Sequence, residues 1–374
     1  MTVLLYDRGR KLMERSGIGR AMLHQAKALE ENRIHYTKDG KEAYDIIQLN
    51  TVLPDSVLRA AAARLAGKSV VYYAHSTRED FCNSFKGSNL LAPLFGAWIR
   101  FCYNRGDIVI TPTPYSKGLL GRAGVRPPVM ALSNGVDLDF FSREKGSRRA
   151  FREKYGLREE TKAVISVGHY IERKGILEFA QLAEEYPDVQ FLWFGYTPSN
   201  LLTARVKRLL REHPANLRFA GYVPMEELRD AYAGADAFLF MTHEETEGIV
   251  LLEAMAMKIP VLIRDIPIYE GWLADGQNVY KASSQEEFSS RLKGMLEGRL
   301  ADLTEAGYQV AASRNLKAVG EELAAVYAHL LREKLRRGRN LYENFDHNRL
   351  VCACHKWSRD FRAKSEARFG KERA

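Results

Sequence analysis

Ala237-Phe-Leu-Phe-Met-Thr-His-Glu-Glu-Thr-Glu-Gly-Ile-Val-Leu-Leu-Glu-Ala-Met-Ala256 reads as an apolar strand, an acidic loop and a helix in direct succession. The run Ala237–Met241 lacks the alternation of a half-solvated strand, which places it in a sheet covered on both faces. From Ile249 onward the pattern is helical, with Gly248 at the helix start. Glu245 and Glu253 are eight positions apart, about 12 Å along an ideal helix, and the path differs where Glu245 precedes the helix. That span suits two carboxylates holding opposite ends of a sugar–diphosphate–ribose, with the diphosphate on the free N–H groups of the helix start. Gly248 lets the backbone approach phosphate closely. Taken alone, the segment reads equally as a solvated acidic loop before a core helix.

Similar apolar runs recur along the chain with helical stretches between them. They are Val3–Tyr6, Ile46–Asn50, Val70–Ala74, Ile108–Thr111 and Val129–Leu132 in the first half. In the second half they are Ala163–Val167, Phe191–Phe194, Leu217–Ala220, Ala237–Met241 and Val261–Ile263. Strand and helix in alternation give two doubly wound, Rossmann-like α/β units. The polar, Arg-rich stretch from Phe141 to Arg152 marks the change of unit. We divide the chain into a first domain, 1–145, a second, 146–330, and a basic tail, 331–374.

Ligands of open parallel sheets sit beyond the carboxyl ends of the strands, and the informative residues fall there. Ser16-Gly-Ile-Gly-Arg20 follows the first strand and His75-Ser-Thr77 the third. Gly168-His-Tyr-Ile-Glu-Arg-Lys-Gly175 follows the sixth, and Glu245 to Gly248 the ninth. Two such edges facing each other make a cleft between domains. Arg173 and Lys174, next to Gly175 and before the helix Ile176–Glu185, can bind a diphosphate and offset charge on a leaving nucleotide; an exposed basic turn is the other reading. Gly17 and Gly19 open the helix Arg20–Glu30 as a phosphate loop or as a plain turn. The pattern is not a dinucleotide fingerprint, since Met22 holds the third glycine position and no acid closes the second strand. His75 suits either a hydrogen bond to a sugar, with stabilisation of developing charge, or the core. No Ser–His–Asp set and no acid-pair metal motif occurs.

The 374 residues and 46% apolar content allow two ordinary cores. No run of 18 or more apolar residues exists, so no transmembrane helix is expected. Met1 to Arg8 reads as a first strand, not a signal peptide, and cytoplasmic residence follows. Four cysteines form no CxxC pair; His347, Cys352, Cys354 and His355 match no common zinc spacing. Residues 331–374 carry 13 Lys/Arg against 6 Asp/Glu, most of the net charge of +9. Such a tail suits an anionic membrane or nucleic acid, or is a solvated helix. Leu90 to Tyr103, with Pro93 expected in the first turn, reads as a core helix; the alternative exposes Phe95, Trp98 or Phe101 to lipid.

Glu245 and Glu253, Arg173-Lys174-Gly175, Ser133-Asn-Gly-Val-Asp137 and Gly221-Tyr-Val-Pro-Met-Glu-Glu-Leu228 occur in the order found in a known family. Over residues 1 to 330 the chain resembles the retaining GT-B glycosyltransferases of the large nucleotide-sugar family four. Ser16 to Arg20, His75-Ser-Thr-Arg-Glu-Asp-Phe81 and Phe85-Lys-Gly-Ser-Asn-Leu90 further resemble bacterial glycolipid synthases that add a second hexose to monoglucosyl-diacylglycerol. The resemblance implies an acceptor-binding first domain and a nucleotide-sugar-binding second one. It implies that Glu253 binds the ribose hydroxyls and Glu245 the donor sugar, while Arg173 and Lys174 neutralise the diphosphate with backbone N–H groups near Gly248 and Ile249. Gly19 would lie beside the phosphates, His75 near the sugar and Val223 at the base. Thr246-Glu247-Gly248 departs from the family's Gly-Phe-Gly.

The resulting expectation is a retaining hexosyltransferase using UDP-glucose or UDP-galactose and a membrane glycolipid acceptor. It needs no metal and no resident cofactor, and sits peripherally on the inner face of the cell membrane against anionic lipid. Transfer to a capsule or cell-wall polysaccharide is the alternative within enzymes. A nucleic-acid-binding protein using its basic tail is the remote one, because the body holds no nucleic-acid module.

Overall fold

The computed structural model describes residues 1–7 and 16–336. Residues 1–324 form one compact unit; beyond it the chain is described as far as residue 336 and is helical. The compact unit holds two parallel six-stranded sheets.

The first sheet contains β1 (Val3–Tyr6), β2 (Tyr36–Thr37), β3 (Ile46–Leu49), β4 (Ser69–Tyr73), β5 (Ile108–Thr111) and β6 (Val129–Ala131), in spatial order β2-β1-β3-β4-β5-β6. The second contains β7 (Ala163–Val167), β8 (Gln190–Phe194), β9 (Leu217–Gly221), β10 (Ala237–Phe240), β11 (Val261–Arg264) and β12 (Tyr280–Ala282), in order β12-β11-β10-β7-β8-β9. Along β10 and just past it, Phe238 and Phe240 enter one core while Ala237, Leu239 and Met241 enter the other. Both faces are therefore dry, and an unbroken apolar run is the sequence form such a strand takes.

The ten expected strands are present. The two others, β2 and β12, are outermost in their sheets and only two and three residues long. An edge strand with a single neighbour carries a weak apolar signal.

The helices that matter for the cleft start at strand ends. α1 (Gly17–Glu31) begins at Ser16, whose hydroxyl accepts from the Gly19 N–H. After α2 (Pro54–Leu65), the short α3 (Arg78–Phe81) is capped by Thr77. α4 runs from Ser88 to Tyr103 and encloses Pro93. The helix thus begins two residues before Leu90 and places Pro93 in its second turn, because Gly87 in the left-handed region supplies the turn. One side of α4 is buried through Ala92, Ile99, Cys102 and Tyr103, whereas Leu90, Leu94 and Phe101 are exposed. The expected core helix is half core.

The chain crosses between the sheets twice. The first crossing leads from β6 to β7; within it Phe141 and Phe151 pack into the core of the second sheet. On the way back, Val136 bridges Asn315 and the Asn32 amide donates to the Lys317 carbonyl at 2.9 Å. Residues 316–324 return as helix alongside α1.

Gly175 closes the turn after β7 at φ 78°, and a Cβ there would lie 2.4 Å from the Met241 carbonyl oxygen. Gly175→Ala should destabilise the protein by about 2 kcal/mol through backbone strain and this clash. Thermal unfolding checks it; an unchanged midpoint would show that the turn relaxes freely.

Candidate functional site

Two loops at the carboxyl edge of the second sheet build one wall of the cleft. After β7, a single 3-10 turn (Glu172–Lys174) precedes α7 (Ile176–Glu185). After β10, the acidic loop leads into α10 (Ile249–Ala256), the helix that follows α5 (Pro114–Arg122), α6 (Arg148–Tyr155), α8 (Ala204–Arg211) and α9 (Met225–Gly234) in the intervening chain. Gly248 starts α10 at φ 91°, where a Cβ would meet the Phe240 ring at 2.9 Å. No side chain caps α10, so its first N–H groups are open to an anion.

A cavity of about 300 Å³ opens here between the sheets. Gly17, His75, Arg173, Lys174, Val223, Glu245, Gly248 and Ile249 line it. Gly19 and Glu253 stand behind the lining: the Gly19 N–H is taken by Ser16, and Glu253 is 0% exposed.

Every charge among these residues is paired. The Lys174 ammonium donates to Glu245 Oε1. Burial opposes ionisation of Glu245, yet Lys174 and then Arg173 hold its carboxyl below the ordinary glutamate range. Arg173 reaches across the cleft, pairing with Asp80 at 2.8 Å and donating to the Ser84 hydroxyl at 3.1 Å. Arg20 reaches the other way and pairs with Glu253, which also accepts from the Tyr232 hydroxyl at 3.3 Å. Glu253 is pushed up by burial against the pull of Arg20.

His75 is a neutral group. Burial drives its pKa down to about 3, and its ring stacks on Tyr73 at 4.9 Å. Its Nε2 lies 2.9 Å from Asn50 Oδ1, which also accepts from Gln25 at 2.9 Å, and Gln48 donates to Gln25 at 2.7 Å. An amide oxygen can only accept, so Nε2 carries the proton and Nδ1 is left as an acceptor. Of the two roles expected for His75 in a site, the geometry suits a hydrogen bond to a hydroxyl and not a cation.

Residues 147–310 match the family described as Glycosyl transferases group 1, and residues 16–140 match Glycosyltransferase Family 4. The processive diacylglycerol alpha-glucosyltransferase of Acholeplasma laidlawii is 37% identical, over 89% of this chain and 100% of that protein. The chain belongs to the GT-B glycosyltransferases. The alpha-galactosylglucosyldiacylglycerol synthase of Streptococcus pneumoniae is 26% identical over 71% of each chain. In fold, the glycosyltransferase is similar to Anabaena HepE, solved with UDP and glucose, at a TM-score of 0.69 and 17% identity over 87% of this chain and 99% of that one.

Several residues of the glycosyltransferase's cleft escaped the sequence reading. Glu247, noted only as a departure from Gly-Phe-Gly, is a buried tie between lobes. Its carboxylate accepts from the Ser133 hydroxyl, and from the Asn134 backbone and side-chain amides at 2.9 and 2.8 Å. Thr113 donates to the Thr246 carbonyl at 3.0 Å and Tyr115 to Glu244 at 3.1 Å. Asp80 and Arg20 belong to the His75–Phe81 and Ser16–Arg20 motifs, and their pairs with Arg173 and Glu253 leave no trace in those motifs. One signal was available: three acids within Glu244 to Glu247 exceed what a single cation pair can neutralise. Among the described residues no group of three or more metal-ligating side chains gathers. The His347–His355 cluster and most of the basic tail lie outside the described residues.

Glu253→Gln and Lys174→Ala should each cut turnover roughly tenfold or more, about 1.4 kcal/mol of transition-state stabilisation. Steady-state rates near wild type in both would remove these residues from the site. Glu244 gives a pH signature. Burial, with Asp80 adding, raises its pKa to about 7 against the Tyr115 hydrogen bond. The folded protein then holds a proton that the unfolded chain has released, so this group's stabilisation is full below the ordinary glutamate pKa and lost as pH rises through about 7. Glu244→Gln should therefore gain stability relative to wild type between about pH 5 and 8. A difference in unfolding midpoint that is constant across that range would reject the assignment.

Proposed function

We propose that the glycosyltransferase moves a hexose from UDP-glucose or UDP-galactose, with retention at the anomeric carbon, to the glucose of monoglucosyl-diacylglycerol at a membrane surface. The observation that carries the reading is the meeting of the Lys174–Glu245 pair and the uncapped start of α10 in one cavity. A sugar diphosphate offers that cavity both an anion for Lys174, Arg173 and the helix N–H groups, and hydroxyls for Glu245 and His75. Glu253 serves the ribose once Arg20 yields it, and Val223 lies at the base. The donor leaves with its charge stabilised by fixed cations, and its oxygen takes the acceptor proton on the same face, so no protein nucleophile or metal is used.

The lipid acceptor is supported by the names of the two relatives and by the surface of α4. Leu90 is 86% exposed, Leu94 71% and Phe101 43%, at helical spacing along one side, with Leu91 beside them. Lys86 and Arg100 are exposed near the helix ends, and the Arg105 guanidinium lies 3.5 Å from the Phe101 ring. An apolar ridge edged by cations suits the interface of an anionic bilayer. Among the described residues no helix is long and apolar enough to cross a membrane.

Purified protein given each UDP-sugar separately should glycosylate monoglucosyl-diacylglycerol and leave soluble glucose largely unused; preference for the soluble sugar would favour polysaccharide assembly. Replacing both Leu90 and Leu94 by glutamate should lower recovery with anionic vesicles in flotation roughly tenfold or more, since each leucine contributes about 1.5 kcal/mol when buried. Undiminished flotation would place the membrane contact elsewhere.

A further inference from the structure

Asp80 has no role in the donor site, yet it faces that site from the opposite lobe. It lies on α3 and lines the cavity. Among the described residues its one ion-pair partner is Arg173, at 2.8 Å. Ser84 strengthens this arrangement: its hydroxyl donates to the Asp80 carbonyl at 2.7 Å and accepts from Arg173 Nε at 3.1 Å. Arg173 thus spends its charge on a carboxylate of the other lobe.

We infer that Asp80 is an acceptor-binding carboxylate that Arg173 masks until the donor arrives, an inference that rests on the donor-site reading above. A diphosphate carries more charge than a carboxylate and accepts two parallel bonds from a guanidinium, so it competes for Arg173 on favourable terms. Asp80 then loses its counter-charge next to a new anion. An unpaired carboxylate in a cavity is costly, and as a pure acceptor it is best satisfied by neutral O–H donors. The hydroxyls of an incoming sugar are such donors. The position of Asp80 on the first lobe is next to the apolar helix: Phe81 of α3 stacks on Phe95 of α4 with centroids 4.1 Å apart, and α4 carries the exposed Leu90, Leu94 and Phe101. The exchange couples the substrates, because the acceptor's carboxylate becomes available only after the donor has taken the arginine.

Calorimetry with UDP and initial-rate kinetics test this on the intact chain. Asp80→Asn, which frees Arg173, should tighten UDP binding fivefold or more. The same variant should raise the KM for monoglucosyl-diacylglycerol tenfold or more without raising that for the UDP-sugar. Unchanged or weaker UDP binding, or an unchanged acceptor KM, overturns the inference. Should the variant not fold, the wild type still decides. A short-chain monoglucosyl-diacylglycerol should bind at least tenfold more tightly with saturating UDP than without, and equal affinities overturn the inference while leaving the donor site intact. A wild-type chain that takes up no UDP removes the donor-site reading and the inference together.

Discussion

A charge withdrawn from water into a protein cleft must find its opposite there, and the cleft of this glycosyltransferase obeys that constraint across its midline. Lys174 meets Glu245 within one lobe. Arg173 and Arg20 each cross to an acid of the other, Asp80 and Glu253. Removing one partner of such a pair leaves an uncompensated buried charge, at a typical cost of 3–5 kcal/mol. The arrangement of both lobes around the cavity follows from it: neither wall is electrically complete without its counterpart.

The same constraint explains the acidic loop. A glycine-rich loop at this position would remove an acceptor shared by Ser133 and Asn134, whereas Glu247 satisfies three of their donors at once. Burial pushes the Glu247 carboxyl up, and these donors pull it back down. The two lobes are thus tied by buried polar contacts at this loop, beside the apolar packing of Tyr115 against the core of the second sheet.

Much of the fold was legible in the sequence because strands dry on both faces leave unbroken apolar runs, as in Ala163–Val167. Tyr36–Thr37 and Tyr280–Ala282 were not, since an edge strand of two or three residues needs little beyond one neighbour. In the cleft, positions next to strand ends could be singled out by residue type, and Lys174, Glu245 and His75 face a common cavity. What could not be read was pairing at long range. Arg20 is 233 residues from Glu253, and Arg173 is 93 from Asp80; neither distance leaves a local pattern. The tautomer of His75 depends likewise on Asn50, Gln25 and Gln48, whose side chains look unremarkable in the string.

The two passages of chain between the sheets are not independent tethers. Val136 on the outward passage donates its N–H to the Arg314 carbonyl on the return at 3.0 Å, and Asn32 clasps the return again at Lys317. Joined there, the two passages form a double connection, which restrains twisting and sliding of one lobe against the other more than a single passage of chain would.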